Sequence, residues 1–193
     1  MEDKKPVLLG LTGASGAVYC LKFMEILKGL SQPVHLILSG PGEKVARIEL
    51  GDDGLKRIKD MADVLYQVED MASLPASGSA LFKAMVILPC SMGTLSAIAH
   101  GLSRNLIHRA ADCMLKEKRP LVLAVRETPL NRIHLKNMLM AHDAGAVIFP
   151  AMPSFYNRPQ TMDELVEYFS GRVAEHLGLR VQGLKRWEGA PGS

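Results

Sequence analysis

Short apolar runs, rich in Val, Ile and Leu, recur along the 193-residue chain and constrain its fold more than any other feature. The runs are Val7–Leu11, Val34–Leu38, Ala84–Leu88, Leu121–Val125 and Ala146–Phe149. They lack polar alternation and are separated by helix-length segments, which is typical of parallel strands buried on both faces. The sequence therefore predicts an α/β fold, with a single doubly wound, mostly parallel sheet in a Rossmann-like three-layer sandwich.

The last helix has the clearest signals in the sequence. Thr161 and Glu164 have the spacing of a capping box, and Gly178 follows the final turn. Apolar residues at every fourth position predict its buried stripe, which consists of Leu165, Phe169, Val173 and Leu177.

The segment between residues 50 and 79 has weaker signals. Gly51–Gly54 predicts a turn, Leu55–Ala62 a helix and Val64–Val68 a minor strand. No repeat or linker interrupts the chain, so we predict one domain over residues 1–178 and a polar, Gly-rich tail over residues 179–193. We expect the tail either to dock on a neighbour or to stay mobile.

The composition, 48% hydrophobic and 22% charged, is that of a globular chain. Its net charge of +3 is too small to indicate binding to nucleic acid or to a membrane surface. No stretch approaches the roughly 18 apolar residues of a membrane span. Cys20, Cys90 and Cys113 form neither an even disulfide set nor a CxxC pair, so we expect a reduced, cytoplasmic setting without zinc.

Small residues follow three of the predicted strands, at the sheet edge where ligands bind in this type of fold. The first loop contains Gly13, Ala14 and Ser15, and Ser39 follows the second strand. The loop after the third long run contains Ser91, Met92, Gly93 and Thr94. Such loops let backbone N–H groups bind phosphate, although the spacing is not the dinucleotide GxGxxG. The alternatives are a tight packing turn for the first loop and a helix cap for Ser39.

Positive charge is concentrated in residues 104–119, which hold five Lys or Arg and two Asp or Glu. Arg109 and Lys116 are seven residues apart, so they share one helical face and could grip one anionic group. The alternative is a solvated face on which Asp112 pairs with Lys116.

Further candidates stand at the ends of the later strands. Arg126 offers a bidentate fork to phosphate and Glu127 could move a proton, unless the two form a structural ion pair. Tyr156 lies in a Pro-framed loop after the last strand, and Arg172 flanks the stripe of the last helix. Core packing of Tyr156 and a surface position for Arg172 are the alternatives.

The sequence gives little indication of a catalytic cysteine or of metal binding by histidine. No His, Asp or Asn is placed by sequence to activate Cys90, so we interpret it as a buried, inert thiol. The six histidines show no metal-ligand spacing. The candidate residues together indicate two anions bound close together, with proton transfer between them.

From about Val7 to Trp187 the chain resembles the UbiX-type flavin prenyltransferases. The resemblance rests on motifs in the family's order: Thr12–Ala17, Ser77–Ser79, Pro89–Ser96, Arg109–Asp112, Leu115–Glu117, Arg126–Leu130, Phe155–Tyr156 and Arg158–Gln160. It implies a homododecameric, flavodoxin-like enzyme that joins the dimethylallyl group of dimethylallyl phosphate to N5 and C6 of reduced FMN. The product, prenylated FMN, would be the cofactor of a separate UbiD-type decarboxylase, and no metal is expected.

The resemblance also implies roles for individual positions. Those matching FMN contacts are Gly13, Ala14, Ser15, Ser39, Ser91, Met92, Gly93, Thr94 and Arg126. Those matching the prenyl-phosphate site are Tyr156, Arg172, Lys116 and Arg109, with the last two supplied in part by a neighbouring subunit. The implied catalytic positions are Glu127 for proton handling, Ser15 and Glu49 near flavin N5, and Lys116.

One departure and two rival functions accompany this resemblance. Met71 stands where some members place a tryptophan over the allylic group, and a thioether stabilises a developing cation less than an aromatic face does. A flavin-dependent cysteine decarboxylase is one rival, but the chain has Arg126–Leu130 where those enzymes have a PxMNxxMW-like segment. A non-catalytic FMN-binding or storage protein is the other rival.

Overall fold

The computed structural model describes residues 4–184 and Arg186. Its strands form one six-stranded sheet in which every neighbouring pair is parallel. They are β1 (Val7–Leu11), β2 (Val34–Leu38), β3 (Val64–Gln67), β4 (Ala84–Cys90), β5 (Leu121–Val125) and β6 (Val147–Ile148). The order β3-β2-β1-β4-β5-β6 reverses direction between β1 and β4, which confirms the predicted doubly wound sheet.

Helices cover both faces of the sheet and complete a three-layer sandwich. They are α1 (Ala17–Gly29), α2 (Gly40–Asp60), α3 (Met92–Ala99), α4 (Leu106–Lys116), α5 (Arg132–Asp143) and α6 (Met162–His176). Buried residues of α1, α2 and α6 share one apolar core, while those of α3, α4 and α5 share the other. We call these the α6 side and the α4 side of the sheet.

The strands are continuously apolar because both of their faces are covered. In β1, Val7, Leu9 and Leu11 pack on the α6 side and Leu8 packs on the α4 side, and none of the four is exposed. Full burial of such a side chain stabilises the fold by about 1.5–3 kcal/mol, so a polar residue on either face of this strand would be destabilising. This two-sided burial explains the apolar runs of the sequence.

The structure adjusts several predicted boundaries. Strand β4 continues two residues beyond Leu88 to Cys90, with a register shift between Ile87 and Cys90, whereas β6 contains only two residues. The predicted turn at Gly51–Gly54 is wrong, because the helical run of α2 continues through it with a kink at Gly51 (φ 70°). The minor strand, β3, is confirmed as an edge strand.

The start of α6 differs in detail from the predicted capping box. Thr161 Oγ1 accepts the N–H of Glu164 at 3.1 Å, as predicted. The Glu164 carboxylate instead accepts the N–H of Gln160 at 2.7 Å. In the tail, Leu184 packs against Gly171 of α6, where an added Cβ would lie 2.7 Å from a Leu184 methyl group. Trp187 lies outside the described residues.

Candidate active site

The loops after β1 and β4 meet where the strand order reverses, and a buried threonine ties them together. Thr12 Oγ1 donates to the carbonyl of Pro89 at 2.7 Å and accepts the N–H of Ser91 at 2.9 Å. Thr12 is 2% exposed, so its hydroxyl is committed to this bridge. Sequence reasoning did not assign this role, although a hydroxyl directly after a buried strand is a recognisable signal.

The loop after β2 packs closely against the loop after β1. A Cβ on Gly13 would lie 2.5 Å from Pro41 Cβ, and one on Gly42 would lie 2.5 Å from the carbonyl oxygen of Leu11. Ser39 Oγ accepts the N–H of Gly42 at 3.0 Å and caps α2. The helix-cap interpretation of Ser39 is therefore confirmed, and the three loops form one continuous edge.

The N-terminus of α1 is occupied by a carboxylate of the same chain. Glu49 accepts the N–H of Gly16 at 3.0 and 3.1 Å and the N–H of Ala17 at 2.7 Å. The expectation that these N–H groups are free for a phosphate is therefore wrong. A carboxylate is favourable at this end of a helix, and the two residues it binds directly follow the exposed Ser15 in the chain.

The N-terminus of α3 remains the better phosphate cradle. Ser91 Oγ caps the helix by accepting the N–H of Thr94 at 3.3 Å, and it also donates to Thr94 Oγ1 at 3.1 Å. Within the described chain, the N–H groups of Met92 and Gly93 have no hydrogen-bond partner. These N–H groups and the loops around them are chemically suited to a phosphate group.

Arg126 and Glu127 follow β5 at the same edge. The N–H of Arg126 donates to the carbonyl of Cys90 at 3.2 Å, and Glu127 Oε1 accepts the N–H of Thr128 at 2.9 Å. Both residues are exposed, and among residues 4–184 and 186 neither joins an ion pair. Their interpretation as a structural ion pair is therefore wrong, and both charges face solvent.

The environment of Tyr19 places the Arg126 charge on the α6 side. Burial raises the pKa of Tyr19, and the nearby Arg126 guanidinium partly opposes that shift. Tyr19 is half-buried on α1 and packs against Phe169 of α6, with ring centroids 4.7 Å apart. The guanidinium of Arg126 therefore acts where α1 and α6 meet.

Tyr156 and Arg172 come together in a cleft of about 250 Å³ between the loop after β6 and helix α6, which we call the α6 cleft. Its walls also include Phe149, Met152, Ser154, Tyr168 and Phe169. Ser154 Oγ is buried in the cleft wall beside the Tyr168 hydroxyl. The α6 cleft thus combines a cation and hydroxyls with an apolar wall.

Arg109 and Lys116 do not join this cleft, because α4 covers the opposite face of the sheet. Arg109 donates to the Ala76 carbonyl at 3.0 Å and to Asp112 at 2.8 Å. Lys116 pairs with Glu117 at 2.5 Å, so the predicted Asp112–Lys116 pair is wrong. The two cations lie beside residues 76–80, and one protomer does not bring them to Tyr156 and Arg172.

Cys90 is fully buried beneath the β4 loop, and burial raises the pKa of its thiol far above neutrality. Its thiolate is therefore scarce near pH 7, which fits the predicted inert thiol. No group of three or more potential His, Cys, Asp or Glu metal ligands occurs in the part of the chain that the structure describes. No helix in that part is both long enough and apolar enough to cross a membrane.

Comparisons with known proteins identify the family of this chain. The "Flavoprotein" family model matches residues 1–173. A relative named flavin prenyltransferase UbiX, from Methanocaldococcus jannaschii, is 44% identical over 181 residues, covering 94% of this chain and 97% of the relative.

Two solved structures share the fold at substantial identity. One is AnUbiX (PadA1) in complex with FMN and dimethylallyl pyrophosphate, with TM-score 0.93, 38% identity, and coverage of 97% of this chain and 99% of the other. The second is a dodecameric FMN-dependent UbiX-like decarboxylase from Escherichia coli O157:H7, with TM-score 0.91, 36% identity, and coverage of 95% and 100%. The chain therefore belongs to the flavoprotein family and, within it, to the UbiX flavin prenyltransferases.

Proposed function

We propose that this protein is a flavin prenyltransferase that joins the dimethylallyl group of dimethylallyl phosphate to N5 and C6 of reduced FMN. The near full-length similarity to the UbiX enzymes carries the proposal. The α6 cleft supports it, because a cation and hydroxyls beside an apolar wall suit an allylic phosphate. The product would be prenylated FMN for a UbiD-type decarboxylase.

FMN would bind along the continuous edge formed by the loops after β1, β2 and β4. Backbone N–H groups at the start of α3 suit its phosphate, and the close packing at Gly13 and Gly42 fixes the loops around it. The residues assigned to it are Gly13, Ala14, Ser15, Ser39, Ser91, Met92, Gly93, Thr94 and Arg126. Bound reduced FMN supplies the nucleophilic N5 and C6 atoms.

Tyr156 and Arg172 would hold the phosphate of the prenyl donor and stabilise its charge as the allylic C–O bond breaks. Arg109 and Lys116 would complete the anion site from a neighbouring subunit, because within one protomer they lie on the other side of the sheet. Phosphate leaves with the electron pair of the C–O bond, so Lys116 would assist catalysis by offsetting the developing charge.

Glu127 would transfer the protons of ring closure, because the prenyl double bond takes up one proton as it bonds to C6, and C6 releases one. Its carboxylate is exposed at the sheet edge, and the N–H of Thr128 orients it. Ser15 and Glu49, whose carboxylate binds the N–H of Ala17 at the start of α1, would lie near N5 and fix hydrogen bonds there. Each role is the one that the family resemblance implies for that position.

A homo-oligomer is part of the proposal, and a dodecamer is its expected form. Helix α5 exposes apolar side chains that a second copy could cover: Ile133 is 66% exposed, Leu135 54% and Leu139 60%. A solved relative at 36% identity is dodecameric. We place the assembly in the cytoplasm, where its thiols stay reduced.

The test is an anaerobic incubation of purified protein with reduced FMN and dimethylallyl phosphate, with dimethylallyl diphosphate in a parallel reaction. We expect mass spectrometry to find a flavin heavier by one prenyl (C5H8) unit, together with released phosphate. Unchanged flavin mass with both donors, while FMN stays bound, would contradict the proposed prenyltransferase activity and favour a flavin-binding or storage protein.

A further inference from the structure

The floor of the α6 cleft contains a tyrosine that the motifs do not identify. Tyr168 lies on α6, is 6% exposed, and forms a hydrogen bond with Tyr156 through the two hydroxyls. The two rings meet edge to face, with centroids 5.8 Å apart and planes at 86°. Tyr168 therefore contacts the proposed phosphate ligand Tyr156 through both its ring and its hydroxyl.

The hydroxyl of Tyr168 calls for an explanation, because a phenylalanine would fill the same space without burying a polar group. A buried hydroxyl is costly unless it is paired, and the Tyr156 hydroxyl provides a partner. Tyr156 itself is 47% exposed on a loop, and its hydrogen bond to a buried side chain restricts its orientations. The pair thus restricts an exposed tyrosine by means of a buried one.

Helix periodicity places Arg172 beside this pair. Tyr168 and Arg172 are four residues apart on α6, hence on the same helical face, and both line the cleft. Burial and the Tyr156 hydroxyl raise the pKa of Tyr168, while a hydrogen bond with Ser154 and, to a smaller extent, the Arg172 charge act to lower it. The neutral phenol can thus both donate and accept a hydrogen bond at neutral pH.

We propose that Tyr168 is a positioning residue that holds the Tyr156 hydroxyl beside Arg172, so that the two present a preformed anion site to the prenyl phosphate. This inference rests on the proposed function. Positioning of this kind lowers the entropy lost on binding and acts equally on the ground state and the transition state. It should therefore appear in KM rather than in kcat.

The test compares Tyr168→Phe with wild type in the prenylation assay, and measures dimethylallyl phosphate binding by calorimetry. We expect KM and Kd for the donor to rise about 5- to 10-fold, while kcat and FMN affinity change less than about twofold. Tyr156→Phe should raise the donor KM and Kd by at least as much. In the double variant, the donor KM and Kd should be no higher than in Tyr156→Phe alone. Tyr66→Phe is the matched control, because it removes a tyrosine hydroxyl bonded to His35 at 3.0 Å on the edge strand β3.

Unchanged donor KM and Kd in Tyr168→Phe would overturn the inference, as would strictly additive effects in the double variant. If Tyr168→Phe folds poorly, Tyr156→Phe, an exposed change, removes both this bond and the proposed phosphate contact, and unchanged donor affinity there would also overturn the inference. Failure of the wild-type protein to prenylate FMN would instead refute the proposed function. The calorimetric comparison of the two proteins would still decide the role of Tyr168.

Discussion

Two groups of cationic side chains in this protein have different surroundings: Arg172, which we call the α6 group, and Arg109 with Lys116, which we call the α4 group. Arg172 on α6 is half-exposed, pairs with Glu175 at 3.2 Å and lines a cleft with Tyr156 and Tyr168. Arg109 and Lys116 on α4 bond to Ala76, Asp112 and Glu117, beside the loop of residues 76–80.

The difference shows that residues assigned to one anion need not lie together in one protomer. The α6 group has an open cleft beside it, whereas the α4 group lies on the opposite face of the sheet. An anion contacted by both groups must therefore lie between two copies of the chain.

The largest effect should come from Glu127, which belongs to neither group. We expect Glu127→Gln to slow formation of prenylated FMN by about 10²- to 10⁴-fold, because the amide cannot accept the proton released at C6. Donor affinity and FMN affinity should be preserved, since both cation groups are intact. Single-turnover mass spectrometry and calorimetry would check this, and full activity of the variant would refute the proton-transfer role.

A smaller effect is expected when the α6 group is broken. Arg172→Ala should raise KM for dimethylallyl phosphate roughly 10- to 100-fold, because a charge-assisted contact to the phosphate is lost. Arg47→Ala is the control, since it also removes one exposed arginine, one that pairs with Glu43 and Asp52 on α2. Equal donor KM in the two variants would show that the α6 cleft does not bind the phosphate.

The smallest effect is expected for a change at Gly78, which lies against the side chains of Lys116 and Glu117. A Cβ on Gly78 would overlap the flexible ends of Lys116 and Glu117, whereas a Cβ on Gly42 would lie 2.5 Å from the backbone oxygen of Leu11. We expect Gly78→Ala to lower unfolding free energy by less than about 1 kcal/mol, and Gly42→Ala by about 1–3 kcal/mol. Urea denaturation would measure both, and the reverse order would contradict the described loop packing.

Much of the fold could be predicted from the sequence, because strands that are buried on both faces appear in it as continuous apolar runs. The bounds of β1, β2 and β5 agree with the apolar runs to the residue. The kink at Gly51 was missed, because a glycine pair typical of a turn can also sit inside a helical run that kinks at a positive φ.

The site could be predicted less completely, because sequence position does not show which three-dimensional neighbours a side chain has. Strand ends located Arg126 and Glu127, yet nothing local indicated that Glu49 folds back onto the N–H groups of α1. Tyr168 was missed because its spacing relative to the apolar stripe does not reveal a hydroxyl partner on a distant loop. That Arg109 and Arg172 lie on opposite faces depends on where the crossover helices pack.

Subunit complementation tests the shared site most directly. Lys116→Ala and Arg172→Ala chains would be assayed for prenylation separately, and then as assemblies co-expressed in equal amounts. If each site takes Lys116 from one copy and Arg172 from another, random mixing should restore about a quarter of wild-type activity. Mixed assemblies no more active than the separate variants would contradict a site shared between subunits.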